Sequence, residues 1–185
     1  PRGMAVRQDD SYVFVADTNN NRVQAFKPRT PLDKYNLDFI GEWAFEGRGE
    51  QQFNTPEGVA VAPDRTVYIA DTRNNRIRRF NPTGEPLAVW GRWGNGNGEF
   101  IQPTDLAVAN DGTVYVVDQL NQRIQRFSAT GGYLTQWGSR GNGQLQFERP
   151  EGIAVGANGR VYVADPGNRR VQVFGPTGGF LASWP

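Results

Sequence analysis

The sequence has no cysteine and no histidine among its 185 residues. Without cysteine there is no disulfide, no thiol nucleophile and no thiolate metal site. Without histidine, the commonest general base, the Ser-His-Asp triad and the usual zinc ligand are all excluded. Charge of one sign is also lacking: 20 Lys and Arg face 19 Asp and Glu, a formal +1. That balance argues against a general polyanion binder. No apolar run approaches the ~20 residues that span a membrane as a helix. No window carries an apolar stripe of period 3.6, which predicts few or no helices. Pro1 at the start and Met4 as the single methionine predict a processed or excerpted chain, with any targeting signal outside it.

What the sequence does have is repetition, together with 23 Gly and 12 Pro. Trp recurs at 43, 90, 137 and 184, always 47 residues apart. Phe recurs at 26, 80, 127 and 174, and Pro opens each unit at 1, 56, 103 and 150. Asp17, Asp71, Asp118 and Asp165 are each followed five residues later by Arg22, Arg76, Arg123 and Arg170. The first unit is longer than the others, by one residue around Gln8–Ser11 and by seven between Phe26 and Trp43. The second insertion reads as an elongated surface hairpin loop.

Each unit reads as four short strands joined by three turns. In the last one, Gly152–Val155, Arg160–Asp165, Arg170–Phe174 and Phe180–Trp184 are the β-branched and aromatic runs. Ala157-Asn158-Gly159, Pro166–Arg169 and Gly175–Gly179 are the turns between them. Val67–Ala70 and Val114–Val117 are apolar on consecutive residues, as strands covered on both faces are. A four-stranded antiparallel meander repeating every 47 residues is the pattern of a β-propeller blade. The expected architecture is therefore all-β, four blades over residues 1–185, at about 1–46, 47–93, 94–140 and 141–185.

The runs Pro56–Val61, Val67–Ile77 and Gly141–Pro150 resemble NHL repeats, and the resemblance extends over essentially the whole chain. It implies a β-propeller, commonly of six blades, that usually binds protein, RNA or carbohydrate; a minority of such proteins are lyases or hydrolases. Four blades leave three arrangements open. The chain is an excerpt of a longer array, a compact four-bladed ring, or an open arc that completes itself with other copies.

The recurring residues read mainly as structure. Asp17/Arg22, Asp71/Arg76, Asp118/Arg123 and Asp165/Arg170 are expected to be ion pairs that fix the second turn of every blade. Asn20, Asn74, Asn121 and Asn168 are expected to cap those turns, as residues that tolerate left-handed backbone. The Trp residues are expected at contacts between blades, and Phe53, Phe100 and Phe147 as plugs in the connecting loops. Function is sought where the repeats disagree. The Gly-rich loops 47–55, 91–102 and 138–149 and the second turns are expected to share one face, which carries Arg48, Arg73, Arg92, Arg140 and Arg169. Glu50, Glu57, Glu99, Glu148 and Glu151 are expected there too. Trp93 stands where the neighbouring loops have Glu46 and Arg140, so the repeat does not require it. Asp105 replaces the Gly found at 3, 58 and 152, and reads as a substituted turn residue in preference to a channel-facing carboxylate.

The function expected from this is a non-catalytic interaction or scaffold module. It binds protein or further copies of itself, with Trp93, Arg92, Arg140, Arg48 and Asp105 as binding residues. No catalytic residue, metal ligand or cofactor is expected, and no nucleic acid. The alternatives are an RNA- or carbohydrate-binding face and a calcium-dependent lyase- or hydrolase-like propeller, for which Asp105 would be the first residue to test. The zinc site of the amidating-lyase relatives uses His, which this chain lacks. An extracellular or cell-surface setting is the expected location.

Overall fold

A computed structural model of the protein describes residues 1–7, 12–30, 33–43, 45–49 and 52–185. Four antiparallel sheets of four strands follow one another along the chain, each with its strands in sequence order. Blade 1 consists of Gly3–Val6, Val13–Asp17, Arg22–Thr30 and Asp33–Trp43. Blade 2 consists of Pro56–Val61, Val67–Asp71, Arg76–Phe80 and Pro86–Trp90. Blade 3 consists of Pro103–Val108, Val114–Asp118, Arg123–Phe127 and Tyr133–Trp137. Blade 4 consists of Gly152–Val155, Val161–Asp165, Arg170–Phe174 and Phe180–Trp184. The only helical pieces among the described residues are four single 3-10 turns, at Thr18–Asn20, Thr72–Asn74, Gln119–Asn121 and Pro166–Asn168. None is long or apolar enough to cross a membrane.

The extra length of blade 1 differs from the loop expected of it. Strand pairing runs on through the insertion, with Lys27 opposite Asp38 and Pro28 opposite Leu37. Arg29 is paired with Asp38 at 3.0 Å across the same ribbon. The described inserted residues continue the third and fourth strands, so they lengthen the hairpin itself. The one-residue insertion at Gln8–Ser11 lies outside the described residues.

The first strands of consecutive blades lie side by side, blade 1 on 2, 2 on 3 and 3 on 4, and no comparable contact returns from blade 4 to blade 1 among the described residues. Three apolar cores result, one at each junction. The middle blades bury both faces: all of Val67–Asp71 and all of Val114–Asp118 are buried. A consecutive apolar run is what such a strand needs, because neither face meets water.

Each junction is closed in the same way. Trp43, Trp90 and Trp137 reach from the last strand of one blade to Phe80, Phe127 and Phe174 of the next, with ring centroids 5.6, 5.9 and 5.6 Å apart. The third turn of the next blade then lays a glycine on the indole. At Gly84, Gly131 and Gly178 φ is positive, and an added Cβ would fall 2.4 to 2.6 Å from the Trp. Only glycine satisfies both conditions. The buried tyrosines add a hydrogen bond across the junction: Tyr68 Oη–H donates to Ala129 O at 2.9 Å, and Tyr115 Oη–H to Pro176 O at 2.8 Å.

Candidate functional site

The Asp and Arg five residues apart face each other across the second hairpin, as Asp71 does Arg76 in strand register. In blade 3, Arg123 Nε–H donates to Asp118 Oδ2 at 2.7 Å. The Arg then reaches into the preceding loop, where its Nη groups donate to the carbonyls of Asn95, Gly96 and Glu99 at 2.8–2.9 Å. Asn121 donates to Gly94 O, and the Ile101 N–H donates to Asp118 Oδ1. Blades 2 and 4 repeat the set around Asp71 and Asp165. These pairs are therefore sockets that hold the interblade loops. Beside each, Phe53, Phe100 or Phe147 is fully buried as the plug.

The left-handed residue of each turn is not the Asn at 20, 74, 121 or 168. It is the one after it, Asn21, Asn75, Gln122 and Arg169, with φ of 52 to 55°. The Asn at 20, 74, 121 and 168 instead turns its amide to the Asp. Burial raises the carboxyls of Asp71 and Asp118, and their hydrogen bonds and Arg partners oppose it. Asp17 stays below its ordinary range, chiefly through the Asn20 hydrogen bond. The Arg22 of the same blade pairs with Asp17 at 2.8 Å and turns its other end to Glu42.

Three surfaces stand apart from this repeated framework. The first is a cavity of about 610 Å³ on the concave side, lined from all four blades by residues including Arg2, Glu57, Asp105 and Glu151. Asp105 belongs to the strand Pro103–Val108, not to a turn, and its carboxylate lines this cavity. Its Oδ2 accepts the Ile153 N–H of blade 4 at 3.0 Å. Room for it exists because the facing residues are Gly58 and Gly152. Burial pushes the Asp105 carboxyl up to about 6, against the two backbone N–H groups that favour its charge. Glu57 and Glu151 also line this cavity, and not the loop face expected of them. Among the described residues, no group of three carboxylates converges closely enough to hold a metal ion.

The second surface is a cleft of about 450 Å³ on the loop face, lined by residues including Arg48, Arg73, Arg92 and Trp93. It brings together three of the five sequence-predicted binding residues. Arg140 does not line it and pairs with Glu148 in the next loop at 3.3 Å. Arg73 joins the three. Its signal in the sequence is the disagreement of position 73 with Leu120 and Gly167 in the following turns.

The third surface is the pair of uncovered blade faces at the ends of the arc. Val67, Val114 and Val161 are fully buried, as are Ile69, Val116 and Val163. Their counterparts in blade 1, Val13 and Val15, are only half-buried. Met4 and Phe39 beside them are 68% and 54% exposed. At the other end, Trp184 is 51% exposed, where Trp137 is 8% exposed. Tyr162 and Val171 are likewise half-buried where Tyr115 and Ile124 are buried.

Stacked four-stranded meanders around a concave hub define the chain as part of a β-propeller. The NHL repeat family model matches residues 53–80, 100–127 and 147–174, one match each for blades 2, 3 and 4. Blades 2, 3 and 4 are NHL repeats, and the fold is that of a β-propeller. No curated protein matches it in sequence. Among solved structures it is similar to a catalytically inactive virginiamycin B lyase from Staphylococcus aureus with quinupristin, at 14% identity and a TM-score of 0.71, over 98% of this chain and 54% of that one. It is also similar to the Kuenenia stuttgartiensis hydrazine synthase, at 15% identity and a TM-score of 0.73, over 99% and 48%. A chain of a nidogen/laminin complex matches at 15% and 0.72, over 100% and 63%. The chain spans about half the length of the first two. At these identities the likeness is one of fold, shared by enzymes and binding proteins alike.

Proposed function

We propose that this chain is a non-catalytic interaction module that associates through the end faces of its blade arc. The observation that carries this is the half-exposure of Val13, Val15, Tyr162 and Val171 at positions the inner blades bury. The two end faces are the two halves of a junction that the molecule makes three times internally. Another blade of the same pattern fits either face, and a second copy of the chain supplies both halves, head to tail. Such an interface is heterologous, giving a ring where the rotation closes and a filament where it does not. Apolar faces of this extent are a strong drive to associate.

The lyase or hydrolase reading has less to support it. The likeness to virginiamycin B lyase is one of fold, histidine is missing, and the carboxylates of the central cavity do not cluster. An extracellular or cell-surface setting belongs to the proposal. Fractionation of the native source checks that setting, and recovery from the cytosol alone would remove it. Light scattering at micromolar concentration tests the association: dimers or larger species are expected, and Val15→Lys or Trp184→Ser should return them to monomer. A wild-type monomer with a cooperative melt would sink the proposal.

A further inference from the structure

Side chains that the fold does not use meet at the loop-face cleft. Arg48 lies in the loop before blade 2, Arg73 in that blade's 3-10 turn and Trp93 in the loop after it. In the following units the same places hold Asn95 and Asn142, Leu120 and Gly167, and Arg140. Neither a turn nor a junction therefore requires these three. Trp93 is 72% exposed, the most exposed of the large apolar side chains among the described residues. Among the described residues, no carboxylate pairs with Arg48 or Arg73, although the other cleft cations are engaged. Arg92 is paired with Glu99 at 2.7 Å and Arg76 with Asp71 at 2.7 Å.

The backbone beneath is fixed. Trp93 bridges Phe100 in parallel, and Arg76 holds the carbonyls of Arg48 and Gly49 at 3.0 and 2.9 Å. The side chains are thus presented from a set geometry, which lowers the entropy lost on binding. The amide groups in the cleft are largely spoken for. Asn75 donates to Arg73 O and accepts the Gln102 N–H, and Asn74 donates to Asp71 and Gly47 O. Asn74 Oδ1 has no partner but is buried, so what the open cleft offers a ligand is two guanidinium forks and an indole.

That set selects among ligands. Neutral sugars need acceptors as well as donors around the aromatic ring, and the free groups here are cationic donors. A polynucleotide needs a continuous basic track, which a chain of balanced charge does not provide. Guanidinium forks match carboxylates two bonds at a time, and exposed Trp with Arg is the composition of protein-binding hot spots.

We propose that the cleft binds a short acidic peptide segment of a protein partner, its carboxylates on Arg48 and Arg73 and a ring side chain against Trp93. This site is separate from the end faces and does not depend on their association. The test is titration of the isotope-labelled 185-residue protein with the peptide Glu-Glu-Tyr-Glu-Glu, followed by NMR at the Trp93 indole N–H. A shift at Trp93 is expected, weakened by salt. Arg48→Ala and Arg73→Ala should each weaken binding about fivefold, and Trp184→Ser should leave it unchanged, which separates this site from the end faces. Both Arg side chains are exposed, so their variants should fold with the wild-type melting temperature. No shift at Trp93 by millimolar peptide would overturn the proposal, as would an equal response to Gln-Gln-Tyr-Gln-Gln. Tighter binding of an eight-uridine RNA at the same signals would overturn it in favour of a nucleic-acid site.

Discussion

Blades 2 and 3 and blades 1 and 4 are built from the same residue pattern, yet they live in different surroundings. Tyr68 and Tyr115 are buried on both sides and hydrogen-bonded to the next blade. Tyr162 has the same place in its strand and stands half-exposed. Asp118 is buried beneath a loop and receives the Ile101 N–H, while Asp17 pairs with Asn20 and Arg22 with no such loop over it among the described residues. One residue pattern therefore yields a closed core or an open face, according to whether a neighbour is present. The stabilisation resides mainly at the junctions between repeats, as in other repeat proteins.

Substitutions at matched positions can break this comparison. The largest effect is expected at the buried socket. Asp118→Ala leaves Arg123 as an uncompensated, largely buried charge and should cost about 3–5 kcal/mol, read from the urea midpoint. Asp17→Ala should cost a small part of that, because the Arg22 left behind is partly exposed and keeps Glu42. Equal losses would mean that the sockets do not depend on their loops.

Next comes the indole at each junction. Trp137→Ala should cost about 3–5 kcal/mol, whereas Trp184→Ala should change the stability of the monomer by about 1 kcal/mol or less. Chemical denaturation of both variants decides it. A comparable cost at Trp184 would show that its face is covered in solution, and light scattering on the same sample would say by what.

A smaller contrast lies in two glycine turns with similar backbone. Gly178 has φ +95° with Trp137 against it, and Gly159 has φ +75° with open space around it. Gly159→Ala carries only backbone strain, about 1 kcal/mol. Gly178→Ala adds a clash of about 1–3 kcal/mol more. Thermal melts of the pair measure the cost of closing a junction, and equal melts would deny that the glycine is there for the indole.

The smallest effect concerns Asp105, which crosses from blade 3 to blade 4. Its folded pKa of about 6 lies above the ordinary carboxylate value. The native state therefore holds the proton more tightly, and this group's contribution falls as pH rises from about 4 to about 6, then stays level. Asp105→Asn keeps an acceptor for the Ile153 N–H and removes the buried charge. It should melt higher than wild type at pH 7.5, with the difference vanishing below about pH 4. Glu57, Glu151 and Arg2 share the cavity and are common to both proteins, so the difference isolates Asp105. A difference independent of pH would rule out this origin.

Much of this was legible in the chain because the repeat repeats its physics. The spacing of Asp71 and Arg76, the apolar run Val67–Ala70 and the plug Phe53 each recur with their roles. What recurs could be read once and tested again in other blades. Single departures were harder. Asp105 looked like a turn residue because Gly occupies the place elsewhere, yet the glycine is there for close approach between first strands. The left-handed residue is the one after Asn74, because the 3-10 turn ends in αL backbone there, while the Asn74 amide serves Asp71. Arg73 and Arg48, 25 positions apart, belong to one cleft only because the loops before and after the blade fold to the same side.

The sequence by itself determined the blade: four strands, their turns, the socket and the aromatic closure, all set by contacts within about one period of 47 residues. Tertiary structure alone decided the position of Asp105 in the cavity and the meeting of Trp93 with Arg48 and Arg73, which no carboxylate among the described residues pairs with. These depend on the rotation between neighbouring blades, which the packing of aromatic rings against glycine turns sets and which no spacing along the chain records.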